Sequence, residues 1–337
     1  MAEIKTCSVI VNDNTVLECR QGMTLFAAFR AHKLYIPTGC GARGLCGQCK
    51  VRFVSGAANL MTDSEVRLIP EDERAAGFRL ACQLRLSGDL SVRVPEYVFG
   101  AKQLAVTLSS VTPLTHDIRR FSFTLDNGER LPHRAGQFIN LSAKIPESKT
   151  QAIRCFSFAT PASVVDSVDL IIRLNPKGVM TPYLFTQAKP GDAMTMYAPF
   201  GDFHLRDGRT HCVWIAGGSG LSPFLGMLQD LVDKGNETRR VHLFFGAVRP
   251  DDLYYVDVLN TMSRQHPWFT FTPALSGDER SDLCRDYGLI TDVVARHLDD
   301  ASELEGYLCG SPGMIGACLK VLTEKGMKRD NIFYDRF

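Results

Sequence analysis

The chain has 337 residues, a length that suits two or three domains. Hydrophobic residues make up 45% and charged residues 22%, as in ordinary globular proteins, and the formal net charge is +1. This balance excludes a global field that would recruit nucleic acid or an anionic membrane, and we see no apolar stretch long enough to span a bilayer. Because the start of the chain lacks the pattern of a secretion signal, we expect a cytoplasmic protein.

The chain contains 11 cysteines, an odd number that disfavours a disulfide framework in a protein without a secretion signal. In a reducing compartment, clustered thiols are typical of metal ligands. Cys40, Cys46 and Cys49 form such a group, and Cys82 is the candidate fourth ligand. Six of the others are interpreted as small, mostly buried apolar residues: Cys7, Cys19, Cys155, Cys212, Cys284 and Cys318.

The first segment, residues 1–99, is predicted to be a domain of short strands and a helix. Two strands flank a turn at 12–14, and an amphipathic helix follows over 23–34 with Thr24 as its cap. After a glycine-rich stretch, strands are predicted over 50–56, over 80–86 around Cys82, and over 91–98. Residues 99–102 are the predicted linker.

The second segment, residues 102–206, consists mainly of short strands separated by turn residues. This rhythm predicts an antiparallel β-barrel. The strands are predicted over 103–111, 118–125, 136–143, 153–160, 168–174 and 192–199, with one helix over 181–188.

The third segment, residues 207–337, alternates strands with helices, which predicts a parallel α/β sheet. Strands are predicted over 211–218, 240–247, 269–275, 305–310 and 331–337, and helices over 222–235 and 312–326. The predicted fold class is therefore a multidomain combination of α+β and α/β architectures.

The spacing of the clustered cysteines is C-x5-C-x2-C, with the fourth cysteine far downstream. A [2Fe–2S] cluster needs four thiolates around two irons and hydrogen bonds from backbone amides to its sulfurs. Glycines can turn those N–H groups inward, and the loop has four: Gly39, Gly41, Gly44 and Gly47. A zinc ribbon would pair two C-x2-C knuckles, and a Rieske centre needs two histidines. Neither pattern is present, so a [2Fe–2S] site is favoured.

These residues make the first segment similar to plant-type ferredoxin domains, which have the β-grasp fold. The usual plant spacing is one residue shorter between the first two cysteines. The longer loop resembles adrenodoxin-like ferredoxins and the ferredoxin domain in the flavin subunit of sodium-pumping NADH:quinone reductase.

In the second segment, Arg154-Cys155-Phe156-Ser157 resembles the R-x-Y-[ST] motif of the ferredoxin–NADP reductase superfamily, with Phe156 in place of tyrosine. The resemblance implies that Arg154 binds the FAD pyrophosphate, that Phe156 lies against the flavin ring and that Ser157 hydrogen-bonds near the atom that receives hydride. Downstream, the sequence from Gly178 to Thr181 resembles the family's G-x-x-[ST] element. Gly178, Met180 and Thr181 are therefore predicted to hold the flavin phosphates at a helix N-terminus.

In the third segment, a glycine-rich turn follows an apolar strand and opens a helix, a context typical of pyrophosphate binding. It resembles the superfamily's G-G-[ST]-G-x-x-P turn, with Pro223 as its last residue. The predicted cofactor-binding residues of the turn are Gly217, Gly218, Ser219 and Gly220. Arg249 ends the next strand, where relatives hold the adenosine ribose. Two aspartates nearby favour NADH over NADPH.

Residues 307–314 resemble the superfamily's C-G-[PS]-x-x-M element, which implies that Cys309 lies beside the nicotinamide and that Gly310 and Met314 bind the cofactor. Phe337, at the end of the chain, is predicted to stack on the flavin and yield to nicotinamide. Ser157, Cys309 and Phe337 are thus the candidate catalytic residues.

The whole chain resembles NADH-dependent reductase components of bacterial multicomponent oxygenases. This resemblance implies that electrons pass from NADH through FAD and a [2Fe–2S] cluster to a terminal oxygenase, which would meet the loop near Ala42, Arg43 and Leu45. The oxygenase would be a ring-hydroxylating dioxygenase or a di-iron monooxygenase, and the reductase is expected to be monomeric. Two alternatives stay open: a reductase for a deoxysugar dehydratase or a quinone, and a redox-sensing module without turnover. The lack of a membrane-spanning stretch argues against the sodium-pump subunit itself.

Overall fold

The computed structural model describes residues 5–146, 150–207 and 211–336. The chain forms two compact units, each assembled from separated stretches of sequence. The first unit contains residues 1–106, 138–156 and 193–201, and the second contains residues 107–137, 157–192 and 202–337. Each unit has its own hydrophobic core.

The N-terminal part of the first unit is a five-stranded mixed sheet with four short helices. The strands are β1 (Thr6–Val11), β2 (Thr15–Arg20), β3 (Lys50–Ala58), β4 (Phe78–Leu80) and β5 (Leu86–Arg93), in the order β2-β1-β5-β3-β4. The helices are α1 (Leu25–Ala31), α2 (Asp63–Leu68), α3 (Glu71–Ala75) and α4 (Tyr97–Gly100). Strands β1 and β5 pair in parallel and the other neighbours pair antiparallel. This is the predicted β-grasp arrangement.

The predicted hairpin and helix at the start of the chain are confirmed, and both have local causes. Asn12 and Asp13 have φ values of 50° and 65°, a left-handed pair that begins the three-residue turn between Val11 and Thr15. Thr24 caps α1, since its side-chain oxygen accepts a hydrogen bond from the Ala27 N–H at 3.2 Å.

The prediction of a strand around Cys82 is wrong. Strand β4 ends at Leu80, and Cys82 lies in a turn in which the N–H groups of Gln83 and Leu84 both donate to the Leu80 carbonyl. In a strand the Cys82 side chain would have to point to one face of the sheet or the other, and in this turn it does not. Helices α2 and α3 precede this turn and were not predicted from the sequence.

The next part of the chain is an antiparallel sheet of six strands, the curled sheet of a β-barrel, as predicted. Its strands are β6 (Lys102–Pro113), β7 (Ile118–Leu125), β8 (Phe138–Ile145), β9 (Thr150–Ser157), β10 (Ser167–Arg173) and β11 (Ala193–Phe200), in the order β10-β7-β6-β11-β8-β9. The predicted single helix is α5 (Met180–Thr186).

The C-terminal part is a parallel sheet with helices, also as predicted. Its strands are β12 (His211–Gly217), β13 (Arg240–Ala247), β14 (Phe269–Leu275), β15 (Asp286–Tyr287), β16 (Glu305–Gly310) and β17 (Ile332–Arg336). Its helices are α6 (Ser222–Asp233), α7 (Val256–Gln265), α8 (Ile290–His297) and α9 (Pro312–Glu324). Helices α7 and α8 and the two-residue strand β15 were not predicted from the sequence.

The strand order of this sheet, β15-β14-β13-β12-β16-β17, positions a binding site. The chain moves outward from β12 through β13 and β14, then returns to the other side of β12 with β16. In such sheets, ligands bind at the carboxyl ends of the strands where the order reverses. Here those ends are Gly217 and Gly310. Along β12, Val213 and Trp214 belong to cores on opposite faces, which accounts for its continuous apolar sequence.

Among the described residues, every helix is too short or too polar to cross a bilayer.

Candidate functional site: a thiol cluster and a dinucleotide cleft

The cluster loop, residues 38–49, winds around its cysteines by means of left-handed backbone positions. The φ angle is 69° at Gly41, 69° at Gly44 and 74° at Gly47, a region that costs about 1–2 kcal/mol for residues with a Cβ. Ala42 also has a positive φ of 65°, and its N–H donates to Thr38 Oγ1 at 3.0 Å. These turns point successive N–H groups inward, as the glycine content predicts.

Backbone N–H groups of the loop donate to the cysteine sulfurs. The Arg43 N–H donates to Cys40 Sγ at 3.3 Å. The further donors are the N–H of Leu45 toward Cys40, those of Gly39 and Gln48 toward Cys46, and that of Gly44 toward Cys82. Amide donors of this kind stabilise the negative charge that thiolates and sulfides carry in an iron–sulfur centre.

The four thiols interact as two pairs, Cys40 with Cys46 and Cys49 with Cys82. The partner thiol lowers the pKa of Cys40 and of Cys82. The same interactions, together with burial, raise the pKa of Cys46 and Cys49. Within the described residues, no three His, Cys, Asp or Glu side chains are arranged around one metal-ion position. Two thiol pairs suit the two irons of a [2Fe–2S] cluster, which four cysteine thiolates hold.

The predicted flavin motif lies at the end of β9. Arg154 and Phe156 are half-buried in the first unit, and Arg154 Nη1 donates to the Ile153 carbonyl at 2.7 Å. Ser157, the last residue of β9, belongs to the second unit. A half-buried guanidinium beside an aromatic ring suits a phosphate group with an attached ring system.

The second flavin element lies at the start of α5, in the second unit. The Thr181 hydroxyl is used within the turn, because it accepts from the Asn175 N–H at 2.9 Å and donates to the Asn175 carbonyl at 3.1 Å. Met180 is fully buried, and a Cβ at Gly178 would lie 3.2 Å from the Asn175 carbonyl. These contacts leave the backbone of this turn, rather than the Thr181 hydroxyl or the Met180 side chain, as the group that suits a phosphate.

The dinucleotide turn, residues 217–222, connects β12 to α6. A Cβ at Gly217 would lie 2.6 Å from Met314 Sδ, and one at Gly220 would lie 2.1 Å from the Cys309 carbonyl oxygen. Close approach to the backbone of β16 therefore requires glycine at 220, whereas the flexible Met314 side chain can move aside at 217. The predicted residues Gly217, Gly220, Cys309 and Met314 are thus brought together.

The middle of this turn is held by a buried tyrosine. Gly218 has a φ of 57°, and the Tyr254 hydroxyl donates to its carbonyl at 2.9 Å. Ser219 is buried, and Gly310 lies at the end of β16. The Tyr254 hydroxyl therefore fixes the direction of the Gly218 carbonyl.

A cavity of about 300 Å³ opens beside the dinucleotide turn, within the second unit. Its lining combines Gly218 and Met314 with residues from other elements, among them Arg173, Asp252 and Ser311. Ser311 caps α9, since its Oγ accepts from the Met314 N–H at 3.4 Å. A helix N-terminus and a glycine turn on one cavity suit a pyrophosphate.

Arg173 is a functional candidate that was not predicted from the sequence. It ends β10, lines this cavity and an adjoining one with Gly217 and Ser219, and its Nη1 would lie 3.3 Å from a Cβ at Gly218. Its Nε donates to Asp117 Oδ2 at 2.6 Å. No local pattern marks this residue, because it comes from a strand far from the turn in sequence.

Of the predicted Arg249 and its neighbouring aspartates, Asp252 is the residue that lines the cavity. Arg249 contacts this carboxylate, with Nη2 at 3.7 Å from Oδ1. The Arg249 side chain is 54% exposed. An aspartate at this position repels a 2′-phosphate and suits a ribose hydroxyl.

The two catalytic candidates that the structure describes are linked through Asp335. The Ser157 hydroxyl donates to Asp335 Oδ2 at 3.3 Å, and Ser222 Oγ donates to the Ser157 carbonyl at 2.9 Å. Asp335 is paired in register with Cys309 across β16 and β17. Burial, followed by the Asp335 charge, raises the pKa of Cys309 well above its usual value, so the thiol stays neutral. Phe337, the third candidate, lies outside the described residues.

Three family profiles match consecutive parts of the chain. They describe a 2Fe-2S iron-sulfur cluster binding domain at residues 6–87, an oxidoreductase FAD-binding domain at 105–205 and an oxidoreductase NAD-binding domain at 214–320. The predicted cofactors are thereby confirmed as [2Fe–2S], FAD and NAD(H), in the predicted order along the chain.

Solved structures and curated proteins are similar over the whole chain. The Amycolatopsis cytochrome P450 reductase GcoB is 31% identical with a TM-score of 0.80, covering 98% of this chain and 99% of its own. The ferredoxin reductase of a carbazole 1,9a-dioxygenase is 24% identical with a TM-score of 0.74 and full coverage of both chains, which supports the fold. One subunit of the Na(+)-translocating NADH-quinone reductase of Neisseria meningitidis is 29% identical over 98% of this chain and 91% of its own.

Proposed function

Because the chain belongs to the family of NADH-dependent iron–sulfur flavoprotein reductases, we propose that it supplies electrons from NADH to a partner oxygenase. When bound, FAD accepts hydride from NADH and the [2Fe–2S] cluster takes up single electrons, chemistry that amino-acid side chains lack. The proposal rests on one observation: the chain that forms the dinucleotide cleft also brings four cysteines together as two pairs, Cys40 with Cys46 and Cys49 with Cys82.

We propose that the dinucleotide turn and Arg173 bind the NADH pyrophosphate. The turn offers backbone N–H groups at the start of α6, and Arg173 adds a cation whose fork can engage two phosphate oxygens. Asp252 would accept a hydrogen bond from the adenosine ribose, which favours NADH. Arg249 would hold Asp252 in place rather than touch the nucleotide.

We propose that Ser157, Asp335 and Cys309 define the place where nicotinamide and flavin meet. Asp335 orients the Ser157 hydroxyl through their 3.3 Å contact. Cys309 is a neutral and fully buried thiol. It would offer an uncharged surface that neither attracts nor repels the positively charged ring of the oxidised nicotinamide. In the first unit, Arg154 and Phe156 would bind the pyrophosphate and the ring of FAD. In the second unit, the backbone around Gly178 and Thr181 is a separate candidate for binding flavin phosphates.

The acceptor is expected to dock on the rim of the cluster loop. Leu45 is 57% exposed although it lies one residue from the ligand Cys46, and Arg43 is exposed beside it. An apolar side chain rimmed by charge suits the small, transient interfaces of redox partners. The likeness to a cytochrome P450 reductase adds a P450 to the dioxygenases and di-iron monooxygenases that the sequence suggests as acceptors.

The test is anaerobic reduction of the purified protein by NADH. Both the flavin and the cluster absorption bands should bleach, and a [2Fe–2S] EPR signal should appear. Cys46→Ser should abolish NADH-driven reduction of cytochrome c while sparing flavin reduction, whereas Cys318→Ala, in the core of the second unit, should leave both intact. Colourless protein that contains zinc and no iron would refute the proposal.

A second candidate is reduction of a quinone, which the likeness to the sodium-translocating NADH-quinone reductase favours. The discriminating assay compares cytochrome c with ubiquinone-1 as acceptors, in the wild type and in Cys46→Ser. Ubiquinone-1 reduction faster than cytochrome c reduction, and lost together with the cluster, would favour a quinone as the acceptor. A deoxysugar dehydratase would be recognised by its co-purification, and absence of NADH–ferricyanide turnover would favour a sensor.

We also propose the domain limits 1–99, 102–206 and 207–337, and a monomeric, cytoplasmic protein. Limited proteolysis should cut near residues 99–102 and 206–207. Light scattering of the holoprotein should return a mass near 37.4 kDa.

A further inference from the structure

Cys155 differs from the other five cysteines predicted to be buried apolar residues, because they are buried and it is not. It lies half-buried in β9, between the flavin-motif residues Arg154 and Phe156. Its thiol donates to Gln48 Oε1 at 2.7 Å and accepts from Asn140 Nδ2 at 2.7 Å. Both partners belong to the same compact unit as Cys155. A thiol with two polar partners is a connecting group rather than a space-filling one.

The first connection reaches the segment between two cluster ligands. Gln48 lies between Cys46 and Cys49, and its own N–H donates to Cys46. A Cβ at Gly39 would lie 3.0 Å from Gln48 Oε1. The glycine at 39 thus leaves room for the side chain that reaches Cys155, which explains a glycine whose φ is not left-handed.

The second connection reaches the start of the cluster loop through Asn140 of β8. The Asn140 side chain is almost fully buried, and its Oδ1 accepts from the Thr38 N–H at 2.9 Å. The Thr38 hydroxyl in turn accepts from the Ala42 N–H and lies 3.9 Å from Cys40 Sγ. The two connections therefore meet the loop on either side of the Cys40–Cys46 pair.

We propose that Cys155 is a positioning residue that clamps the cluster loop to the flavin-binding strand. Its thiol, with Asn140 and Gln48, fixes the cluster loop relative to the peptide that carries Arg154 and Phe156. This inference rests on the proposed function, in which bound flavin would supply single electrons to a cluster held by Cys40, Cys46, Cys49 and Cys82. A cluster loop held at two points would keep a constant distance to the flavin-binding strand. It would also keep the backbone N–H groups directed at the cysteine sulfurs.

Loss of the clamp should loosen the loop without removing any cluster ligand. Outer partners of metal ligands typically change affinity or activity about 10–100-fold when they are mutated. Buried polar networks also act as units, so breaking one connection affects the other. We therefore expect changes at Cys40 and Cys46, the near pair, before changes at Cys49 and Cys82.

The test uses the full-length holoprotein and the variants Cys155→Ala, Cys155→Ser and Gln48→Met, with Cys318→Ala as a control for thiol loss. Hydrogen–deuterium exchange of peptides covering residues 38–48 should accelerate in Cys155→Ala and Gln48→Met. Stopped-flow reduction by NADH should show cluster bleaching slowed about tenfold in these two variants. NADH–ferricyanide turnover should not change. Cys155→Ser keeps a donor and an acceptor, and should restore both signals, and Cys318→Ala should match the wild type.

The clamp is refuted if Cys155→Ala leaves both loop exchange and cluster bleaching at wild-type values, or if Cys155→Ser is as impaired as Cys155→Ala, which would indicate packing alone. Should Cys155→Ala fail to fold with its cluster, Gln48→Met decides by the same two measurements. Absence of NADH turnover in the wild type would instead defeat the proposed function, while the exchange data would still report on the clamp.

Discussion

The cluster loop and the dinucleotide turn are both rich in glycine, and both direct backbone N–H groups at negative charge. Their glycines are required for different reasons. In the cluster loop, Gly41 and Gly44 have φ values of 69°, a conformation that a Cβ disfavours. In the dinucleotide turn, Gly220 is needed because the Cys309 carbonyl would be 2.1 Å from its Cβ.

The difference shows that the same residue type marks backbone shape in one loop and close packing in the other. A shape requirement costs conformational energy at one residue, and the loop can relax around it. A packing requirement against backbone atoms forces two elements apart, because a carbonyl cannot rotate away as a side chain can. Glycine substitutions should therefore have graded effects that reveal which requirement holds.

The largest effect is expected for Gly220→Ala, which would separate the dinucleotide turn from β16. Overpacking of this kind costs about 1–3 kcal/mol and sometimes more, and the displaced turn would no longer fit a pyrophosphate. We expect a lower melting temperature and NADH-driven flavin reduction slowed by up to about 100-fold, since each 1.4 kcal/mol is about tenfold. Stopped-flow absorbance and calorimetry measure these quantities.

The matched control is Gly316→Ala in α9, where a Cβ would meet no atom within 4 Å. Alanine in a helix interior is favoured over glycine by about 1 kcal/mol. This variant should be as stable as the wild type or more stable. Equal behaviour of the two variants would contradict the packing argument.

A smaller effect is expected in the cluster loop, where Gly44→Ala should exceed Gly41→Ala. Both substitutions place a Cβ at positive φ, at about 1–2 kcal/mol. At Gly44 the Cβ would also lie 2.8 Å from Gln83 Nε2, whereas at Gly41 it would meet nothing within 4 Å. The rate of cluster loss in air, followed by its absorption, should rise in this order. Equal rates would show that Gln83 moves aside without consequence.

Much of this architecture could be predicted, because the signals lie within short stretches of sequence. Thr24 precedes its helix, and Cys40 and Cys46 stand in one loop. The same holds for the strand–turn–helix around Gly220. Each of these depends on spacing that the chain shows directly.

The rest of the site depends on contacts between distant positions. Arg173 reaches the dinucleotide turn from β10, Asp335 joins Ser157 across 178 positions, and Cys155 joins Gln48 across 107. No periodicity or spacing encodes such pairs. The turn that holds Cys82 was missed for a similar reason, because its apolar flanks have the composition of a strand.

The dinucleotide turn can be tested for charge as well as for shape. Arg173→Ala should raise the KM for NADH about tenfold, since a charge-assisted hydrogen bond contributes about 1.5–3 kcal/mol. Arg249→Ala should raise KM less, because Arg249 reaches Asp252 rather than the turn. Arg173→Lys should recover part of the loss, as a cation without the bidentate fork. Steady-state kinetics at fixed ferricyanide measure all three, and a larger effect at Arg249 would favour the sequence-based assignment.

The smallest effect concerns the choice between NADH and NADPH, where one charge matters and backbone shape does not. Asp252→Asn removes a negative charge from the cavity. It keeps a side-chain oxygen that can accept from the Arg249 backbone N–H, which lies 3.0 Å from Asp252 Oδ2 in the wild type. We expect the ratio of kcat/KM for NADPH to that for NADH to rise about fivefold, or about 1 kcal/mol, the upper range for partly exposed charges. Asp251→Asn removes the same charge from an exposed neighbouring position and should leave the ratio unchanged. A ratio that responds equally to both substitutions would mean that net charge near β13, and not a carboxylate facing the ribose, sets the preference.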